Sequence, residues 1–373
     1  MACGYKAQLK KGRFLSHAKI VKVPFQLNAN MLFVDVLING SPKRFILDSG
    51  APNVIDQHIQ DELNFKVVYD TGFKDALNRS RNLEMVKVDS LKFGEVTILN
   101  SVAAVADFSK FTCLNIDGII GTNIMSHFDW EIDYTNEIAT LFKGGIPTDS
   151  LQEYGKEIPF TMNAQKSPFI DLKVGKTTFH KVEIDLGSNG GIGINKWKSF
   201  EPDNFTDHTW VYGETSIGIH GPITDTTRLV RIEDAFLGEY AIEDTKMTVK
   251  PTSTSKIGNR FFKNFDLILS WSREAMYLKA NRALSTNLNK DNVYLGWKED
   301  GLYIKGFTAE SALREFGIEI GDKVLKVADI NTTHIAMAKF CSLKEGWNGN
   351  VKLLVEKVNS QEIIELVVNI VHN

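Results

Sequence analysis

The sequence repeats one set of landmarks in its two halves, and this repeat limits the possible folds more than any other feature. An apolar run ends in Asp48-Ser49-Gly50 in the first half, and another ends in Asp185-Leu186-Gly187 in the second. An Ile-Gly step follows each motif, and the interval from Asp48 to Ile120 equals the interval from Asp185 to Ile257. Because the two halves otherwise differ in sequence, this equal spacing predicts a duplicated domain.

The pattern of apolar residues up to about residue 280 predicts β-strands. Runs of β-branched and aromatic residues alternate there with turns rich in Gly, Asn and Asp, which is the signature of strands. The run 32–38 is closed by Asn39-Gly40 and followed by the run 44–47, an arrangement that predicts a β-hairpin. Helical stretches are few and short, and the clearest covers residues 54–63. We therefore expect a mostly β fold.

The composition excludes several classes of protein. The chain has 43 Lys and Arg against 46 Asp and Glu, a formal charge of −3, and it lacks the basic block that nucleic-acid binding requires. No run approaches the roughly 18 apolar residues that span a bilayer. The 8 histidines form neither a His-Glu-x-x-His pair nor a metal-ligand spacing with a cysteine. We therefore expect no nucleic acid, no metal and no cofactor. A length of 373 residues allows two or three domains.

The cysteines are too few and too scattered for a disulfide framework or a zinc site. Cys113 and Cys341 lie in apolar surroundings, and we expect inert core thiols. Cys3 lies in an Ala-Cys-Gly start followed by a Lys-rich stretch, which is typical of a bacterial lipoprotein after its signal peptide is removed. That interpretation places the protein in the cell envelope, periplasmic or anchored to the membrane through a lipidated Cys3. A free thiol in a frayed N-terminus of a cytoplasmic protein is the alternative.

Two Asp-x-Gly motifs can supply one acid–base pair. The glycine permits a close backbone approach, so that N–H groups of the loop can hold the carboxyl. Two such carboxyls facing each other share a proton, because like charges about 3 Å apart do not both ionise. One member activates a water as general base, while the protonated member polarises a scissile carbonyl. This chemistry needs neither a metal nor a covalent nucleophile.

The segment 46–51, Ile-Leu-Asp-Ser-Gly-Ala, resembles the Asp-Thr-Gly-Ala signature of the aspartic proteases, and Asp-Gly-Ile-Ile-Gly at 117–121 resembles their second element. The likeness is to bacterial retropepsin-like and pepsin-like proteins with two lobes in one chain, and it covers roughly residues 25–279. It implies a bilobal pair of β-barrels in which Asp48 and Asp185 are catalytic. It also implies a monomer acting on protein or peptide substrates, since one chain carries both aspartates.

The resemblance assigns a supporting role to the residues that follow each aspartate, namely Ser49, Gly50, Ala51, Leu186, Gly187 and Ser188. Leu186 departs from the family, which has Thr or Ser there and interlocks the two loops through a pair of hydroxyls. One side of that lock is therefore expected to be missing. Two interpretations stay open: an aspartic endopeptidase, or a catalytically degenerate adaptor that binds peptides.

A second asymmetry concerns the shared proton. Ser188 follows the second motif and is expected to donate a hydrogen bond to Asp185, whereas Ala51 at the corresponding place cannot donate. A donor stabilises the charged form of a carboxyl. We therefore expect Asp185 to be the ionised member of the pair and Asp48 the protonated one.

Hairpin flaps cover the active site in this family, and the candidates here are residues 71–81 and 212–221. After residue 292 the sequence resembles a PDZ domain. Tyr294-Leu295-Gly296-Trp297 looks like the carboxylate-binding loop, with helical stretches at 309–316 and 336–343 and a Gly-Asp-x-Val-Leu core at 321–325. The resemblance implies capture of peptide C-termini by that loop, with the peptide adding as a strand beside the second helical stretch.

Together these features predict five segments: an N-terminal extension at 1–24, a first protease lobe at 25–155, a second lobe at 156–280, a linker at 281–292 and a small α+β PDZ domain at 293–373. The expected function is hydrolysis of peptide bonds by a water that the two aspartates activate. The PDZ domain is expected to recognise substrate or partner peptides.

Overall fold

The computed structural model describes residues 11–15, 18–74, 80–111, 113–195, 205, 207–218, 221–250 and 254–371. Among the described residues β-strands are far more common than helices, so the prediction of a mostly β fold is confirmed. In these described ranges no helix is long and apolar enough to cross a membrane. Cys3 and parts of both predicted flaps, at 75–79 and 219–220, lie outside the described residues.

The first half consists of twelve strands and two short α-helices among the described residues. In chain order they are β1 (Arg13–Phe14), β2 (Ile20–Pro24), β3 (Gln26–Asn28), β4 (Met31–Ile38), β5 (Ser41–Leu47), β6 (Val54–Asp56), α1 (Gln57–Leu63), β7 (Val67–Lys74), β8 (Ser80–Phe93), β9 (Val96–Ala106), β10 (Gly118–Ile120), α2 (Thr122–Met125), β11 (Asp129–Asp133) and β12 (Ile138–Phe142). A 3-10 turn follows at Thr148–Leu151.

Six strands of this half close into a barrel. Their order is β9-β6-β10-β5-β4-β8, and β8 pairs with β9 again. The predicted hairpin lies between β4 and β5, with Asn39 and Gly40 both at positive φ, as a tight hairpin turn requires. The helix predicted at 54–63 begins three residues later in the structure, at Gln57. Val54 and Ile55 are strand residues paired with β10, and the helix starts only after Asp56, whose side chain caps it by accepting from His58 N.

The second half is also built mainly from strands. In chain order it contains β13 (Ile158–Pro159), β14 (Thr161–Met162), β15 (Pro168–Val174), β16 (Thr177–Ile184), β17 (Ile192–Ile194), β18 (His208–Gly218), β19 (Gly221–Ile232), β20 (Ala235–Leu237), β21 (Tyr240–Ile242), β22 (Thr245–Val249), β23 (Lys256–Ile257), α3 (Asn259–Phe262), β24 (Phe265–Ser270) and β25 (Ala275–Ala280).

Both halves place the strand that carries the aspartate beside the strand of the Ile-Gly step. In the first half β5 and β10 run parallel, with β6 antiparallel on the other side of β10. In the second half β16 and β23 run parallel, with β17 antiparallel on the other side of β23. The shared strand order and direction give the repeated sequence landmarks a structural counterpart. We refer to the two halves as the first and second lobe.

The lobes are joined by a six-stranded sheet of order β13-β25-β24-β11-β12-β2. Its central pair, β11 and β24, comes from different lobes and aligns Trp130 with Leu269. Both side chains are fully buried, and Trp130 Nε1 donates to Met125 O at 2.9 Å. One hydrophobic cluster extends through both lobes and this sheet, so the lobes share a core that fixes their relative position.

The C-terminal module, residues 292–371, has a hydrophobic core of its own. It contains β26 (Asn292–Lys298), β27 (Gly301–Thr308), β28 (Lys323–Val327), β29 (Ile330–Asn331), α4 (Met337–Leu343), β30 (Gly349–Glu356) and β31 (Ile363–Ile370), with 3-10 turns at Ala312–Arg314 and Lys344–Trp347. Strand β27 pairs with β18 of the second lobe, which makes the two sheets continuous.

A disulfide bond ties the C-terminal module to the first lobe. It joins Cys113 to Cys341 on α4 across 228 residues of sequence. The prediction of two inert core thiols is therefore wrong. The sequence offered no local spacing that would pair them, because only the docking of the module against the first lobe brings the two cysteines together.

Two features expected of the C-terminal module differ from the structure. Tyr294-Leu295-Gly296-Trp297 lies inside β26 and pairs with β27, so it is a strand and not a carboxylate-binding loop. The predicted helix at 309–316 is only the 3-10 turn Ala312–Arg314. The helix expected at 336–343 is present as α4.

Candidate active site

The loop of Asp48 begins where β5 ends. Asp48 N donates to Ile120 O at 3.0 Å, which ties the start of the loop to the Ile-Gly strand. The Asp48 carboxyl accepts at Oδ1 from Gly50 N at 2.7 Å and from Ala51 N at 3.0 Å. Asp48 as a residue is 9% exposed, so the backbone of its own loop orients a nearly buried carboxyl.

The loop of Asp185 is built in the same way. Asp185 N donates to Ile257 O at 2.9 Å, and the carboxyl accepts at Oδ1 from Gly187 N at 3.0 Å. Asp185 is 6% exposed. The repeated strand arrangement therefore delivers one buried, backbone-held carboxyl from each lobe.

The two loops face each other closely. A Cβ placed on Gly187 would lie 2.2 Å from Asp48 Cγ, and one placed on Gly50 would lie 3.2 Å from Asp185 Cγ. Glycine is therefore required at 187, because any side chain there would collide with the carboxyl of the opposite lobe. The structure thus brings together both predicted aspartates and their supporting residues.

Ser49 locks the loops together from one side. Its buried hydroxyl donates to Ile184 O at 2.6 Å and accepts from Leu186 N at 3.0 Å, both in the opposite lobe. Leu186 occupies the corresponding place in the second loop and is fully buried. Leucine has no hydroxyl to return these bonds, so the lock is one-sided and the second loop contributes apolar packing in its place.

Two charged residues that sequence reasoning missed border Asp185. Lys256 Nζ lies 2.8 Å from Asp185 Oδ2, an ion pair in which the side chains are 21% and 9% exposed. Glu183 is the register partner of Lys256 in the parallel pair of β16 and β23, and its Cδ lies beside Gly50, 3.2 Å from a Cβ placed there. The signal was present in the repeat, since Lys256 directly precedes the Ile-Gly step where the first lobe has Ile119.

The pKa values of Asp48, Glu183 and Lys256 in this cluster are all raised. Burial and the charge of Asp185 raise the pKa of Asp48 from 3.8 to about 7, although the hydrogen bond from Gly50 works against them. Burial and the charge of Asp185 also raise the pKa of Glu183 from 4.5 to about 8. Burial alone would lower the pKa of Lys256, but the charge of Asp185 and the bond to it raise it. Below pH 7 the cluster therefore holds Asp48 and Glu183 as neutral acids beside a charged lysine.

The prediction that Ser188 donates a hydrogen bond to Asp185 is wrong. The Ser188 hydroxyl accepts from Gly190 N at 3.3 Å, two residues further along the chain. In the described part of the chain, the side-chain partners of Asp185 are Gly187 N and Lys256 Nζ. The side chain that donates to Asp185 thus carries an ammonium group rather than a hydroxyl.

The remaining predicted site residues lie elsewhere. Residues 294–297 belong to the C-terminal module, where Trp297 Nε1 donates to Ile335 O at 2.7 Å. The predicted flap at 212–221 belongs to the hairpin of β18 and β19, and that at 71–81 to the hairpin of β7 and β8. Among the described residues no group of three His, Cys, Asp or Glu side chains could hold a metal ion.

Comparison with known protein families gives a match within the first lobe. The sequence model of a family described as aspartyl protease matches residues 34–124, a range that contains Asp48 and the whole of β10. The first lobe is similar to the aspartyl proteases. A comparison with curated proteins finds no match.

Two solved structures are similar to parts of the chain. A retropepsin-like aspartic protease from Rickettsia conorii is 15% identical and covers 36% of this chain and 94% of its own, with a TM-score of 0.27. Basic 7S globulin from soybean is 10% identical and covers 70% of this chain and 95% of its own, with a TM-score of 0.41.

Proposed function

We propose that the protein is an aspartic endopeptidase in which Asp48 and Asp185 activate a water for attack on a peptide bond. The observation that carries the proposal is the opposition of two buried carboxyls, one from each lobe, each held by N–H groups of its own loop. The raised pKa of Asp48, about 7, supplies the proton that such a pair must share.

In the proposed reaction Asp185 is the base and Asp48 the acid. Asp185 takes a proton from water as the water oxygen attacks the carbonyl carbon. At the same time Asp48 gives its proton to the carbonyl oxygen, which leaves a neutral gem-diol. Asp185 then protonates the amide nitrogen, a hydroxyl proton of the gem-diol returns to Asp48, and the C–N bond breaks. Both carboxyls regain their starting states, and the products are an acid and an amine.

The hydrogen bonds leave suitable oxygens for these roles. Asp48 Oδ1 accepts two backbone N–H groups, whereas its Oδ2 has no donor among the described residues and can hold the proton. Each oxygen of Asp185 accepts one protein donor, and a carboxylate oxygen has two acceptor sites. A water can therefore still bind to Asp185.

The test is cleavage of a diverse peptide library between pH 4 and 8. The wild type should cleave, while Asp48→Asn and Asp185→Asn should each lose at least about 10³-fold in kcat/KM, because neither variant can share the proton. Asp35→Asn is the matched control, since Asp35 is an exposed strand residue and should leave the rate unchanged. Equal and negligible cleavage by the wild type and Asp48→Asn would refute the proposal.

A peptide-binding adaptor is the second candidate, and the one-sided lock at Leu186 favours it. A loosened second loop would keep the groove between the lobes but lose turnover. This function predicts that wild type and Asp48→Asn bind the same library peptides with equal affinity and cleave none of them. Turnover that depends on Asp48 would exclude it.

The C-terminal module is proposed as a PDZ-like reader of substrate or partner peptides. Its β26 and α4 are the elements between which an added strand would lie, and Trp297 ties β26 to the segment before α4. Both aspartates come from one chain, which supports action as a monomer. The disulfide supports an oxidising compartment such as the cell envelope, where a lipidated Cys3 would anchor the chain.

A further inference from the structure

The two lobes differ in the pair of residues that lies directly behind each aspartate. In the first lobe the register of β5 and β10 aligns Ile46 with Ile119. In the second lobe the register of β16 and β23 aligns Glu183 with Lys256 at the corresponding place. One chain thus contains the same backbone arrangement twice, once with an apolar pair and once with a charged pair.

Packing does not require charge at this place. Ile46 and Ile119 are buried in an apolar cluster of the first lobe, so the backbone arrangement accepts aliphatic side chains. Burying a charge is costly unless it is paired. The ammonium of Lys256 is nevertheless mostly buried and lies 2.8 Å from Asp185 Oδ2. A mostly buried lysine at a place where the other lobe has isoleucine points to a role in the chemistry of its partner.

Four charged or titratable groups face Lys256 across the elements around it: Asp48, Glu183, Asp185 and Lys250. The carboxyl of Glu183 is neutral below its pKa of about 8. Lys250 is a second cation among these groups. The charged partner of Lys256 near neutral pH is therefore Asp185, which the hydrogen bond between them also indicates.

We propose that Lys256 is a positioning residue of the active site, whose ammonium keeps Asp185 as the charged carboxylate and so leaves the shared proton on Asp48. The inference rests on the proposed peptidase function and adds a third residue to its site. Nothing equivalent lies behind Asp48, where Ile119 occupies the corresponding position. The two carboxyls thereby receive fixed and different roles from a difference built into the lobes.

The proposal makes a directional statement about pH. A nearby positive charge favours the ionised form of a carboxyl, so removing it makes both members of the pair easier to protonate. In Lys256→Met both limbs of the bell-shaped pH dependence of kcat/KM should therefore move to higher pH, by about one unit. Lys256→Arg keeps the charge and should keep both limbs close to their wild-type positions.

Two further variants serve as controls, the first for a loss of folding and the second for the loss of a lysine elsewhere in the lobe. Glu183→Ile combined with Lys256→Ile converts the second lobe to the apolar pair of the first, and it should fold and show the same shift as Lys256→Met. Lys246→Met is the matched control, because Lys246 is a partly buried lysine bonded to Asn287 O and should leave both limbs in place.

The ionisation of Asp185 provides a readout that needs no turnover. The ¹³C resonance of its carboxyl, assigned by its absence in Asp185→Asn, should titrate at higher pH in Lys256→Met and in the double variant than in the wild type. An unchanged Asp185 midpoint would overturn the inference, as would a pH profile that only scales down or an arginine variant that shifts like methionine. If the wild type cleaves nothing, the peptidase proposal fails, and the titration alone still decides the role of Lys256.

Discussion

The hydroxyl of Ser49 reaches from the first lobe to the backbone of the second, donating to Ile184 O at 2.6 Å and accepting from Leu186 N at 3.0 Å. This one side chain makes both hydrogen bonds of the lock between the two Asp-x-Gly loops. Leu186 fills the corresponding place with a buried aliphatic group. Ser49 is therefore the side chain whose hydroxyl joins the first loop to the backbone on both sides of Asp185.

Ser49→Ala should weaken both stability and catalysis. The substitution leaves the buried Leu186 N–H without its partner, which costs about 1–3 kcal/mol of the free energy of unfolding. Because the loops also lose their registration, kcat/KM should fall at least about tenfold, in line with the sensitivity of catalysis to small misplacements. Urea unfolding and peptide cleavage measure the two effects.

Ser49→Thr is the control for that experiment, since it retains a hydroxyl at the same position. It should remain within about 1 kcal/mol of the wild type in stability and keep most of the activity. A Ser49→Ala variant with wild-type stability and rate would show that packing around Leu186 alone holds the loops.

The buried acids should make the protein less stable as pH rises. Folding raises the pKa of Asp48 from 3.8 to about 7 and that of Glu183 from 4.5 to about 8. Between about pH 4 and pH 8 the folded state therefore binds more protons than the unfolded state, so the free energy of unfolding falls as pH rises through this window. Glu183→Gln should remove part of this slope and raise the melting temperature at pH 8 by several degrees, with little change at pH 4. A slope identical in wild type and Glu183→Gln would contradict the assignment.

Local sequence carried enough information to predict the two halves of the site. Asp48 and Asp185 each follow an apolar strand and precede a glycine, and the equal spacing to Ile120 and Ile257 reflects the strand that supports each loop. These signals are short-range within each lobe. The identity of the two carboxyls that face each other therefore followed from the repeat.

The rest of the site depends on register between strands that are distant in sequence. Lys256 meets Asp185 only because β23 runs parallel to β16, and a lone lysine before an Ile-Gly step carries no motif. Aligning the two halves residue by residue would have shown Lys256 opposite Ile119. Tyr294–Trp297 was misread because a Gly within a strand and a Gly within a loop have the same sequence appearance. At Gly296 the reason for glycine is the ring of Tyr303, which would lie 2.4 Å from a Cβ.

Removing the disulfide should destabilise the protein and loosen the C-terminal module. The Cys113–Cys341 bridge closes a loop of 228 residues, and its loss costs about 2–5 kcal/mol, chiefly by releasing the unfolded chain. Cys113→Ser combined with Cys341→Ser should therefore unfold at lower urea and exchange amide hydrogens faster in α4. The wild type in dithiothreitol should match the double variant, which itself should not respond to the reductant. Equal stability of the wild type with and without reductant would contradict a stabilising bridge.

The second attachment of the C-terminal module is the pairing of β18 with β27, where Gly213 faces Gly306. A Cβ on Gly213 would lie 2.3 Å from Lys305 O, and Gly213 also has a φ of +117°. Gly213→Ala should therefore lose about 2–4 kcal/mol from backbone strain and collision together. Hydrogen exchange should rise in β27 as well as in β18, because the two strands protect each other.

Gly349→Ala separates those two causes. Gly349 has a φ of +91° but open space around a Cβ, so this variant reports strain alone and should lose about 1–2 kcal/mol while β18 stays protected. If both variants lost the same free energy, the close approach of the strands would contribute nothing. A larger loss of free energy in Gly213→Ala, with faster hydrogen exchange confined to β18 and β27, would show that the C-terminal module holds the hairpin of β18 and β19 through this contact.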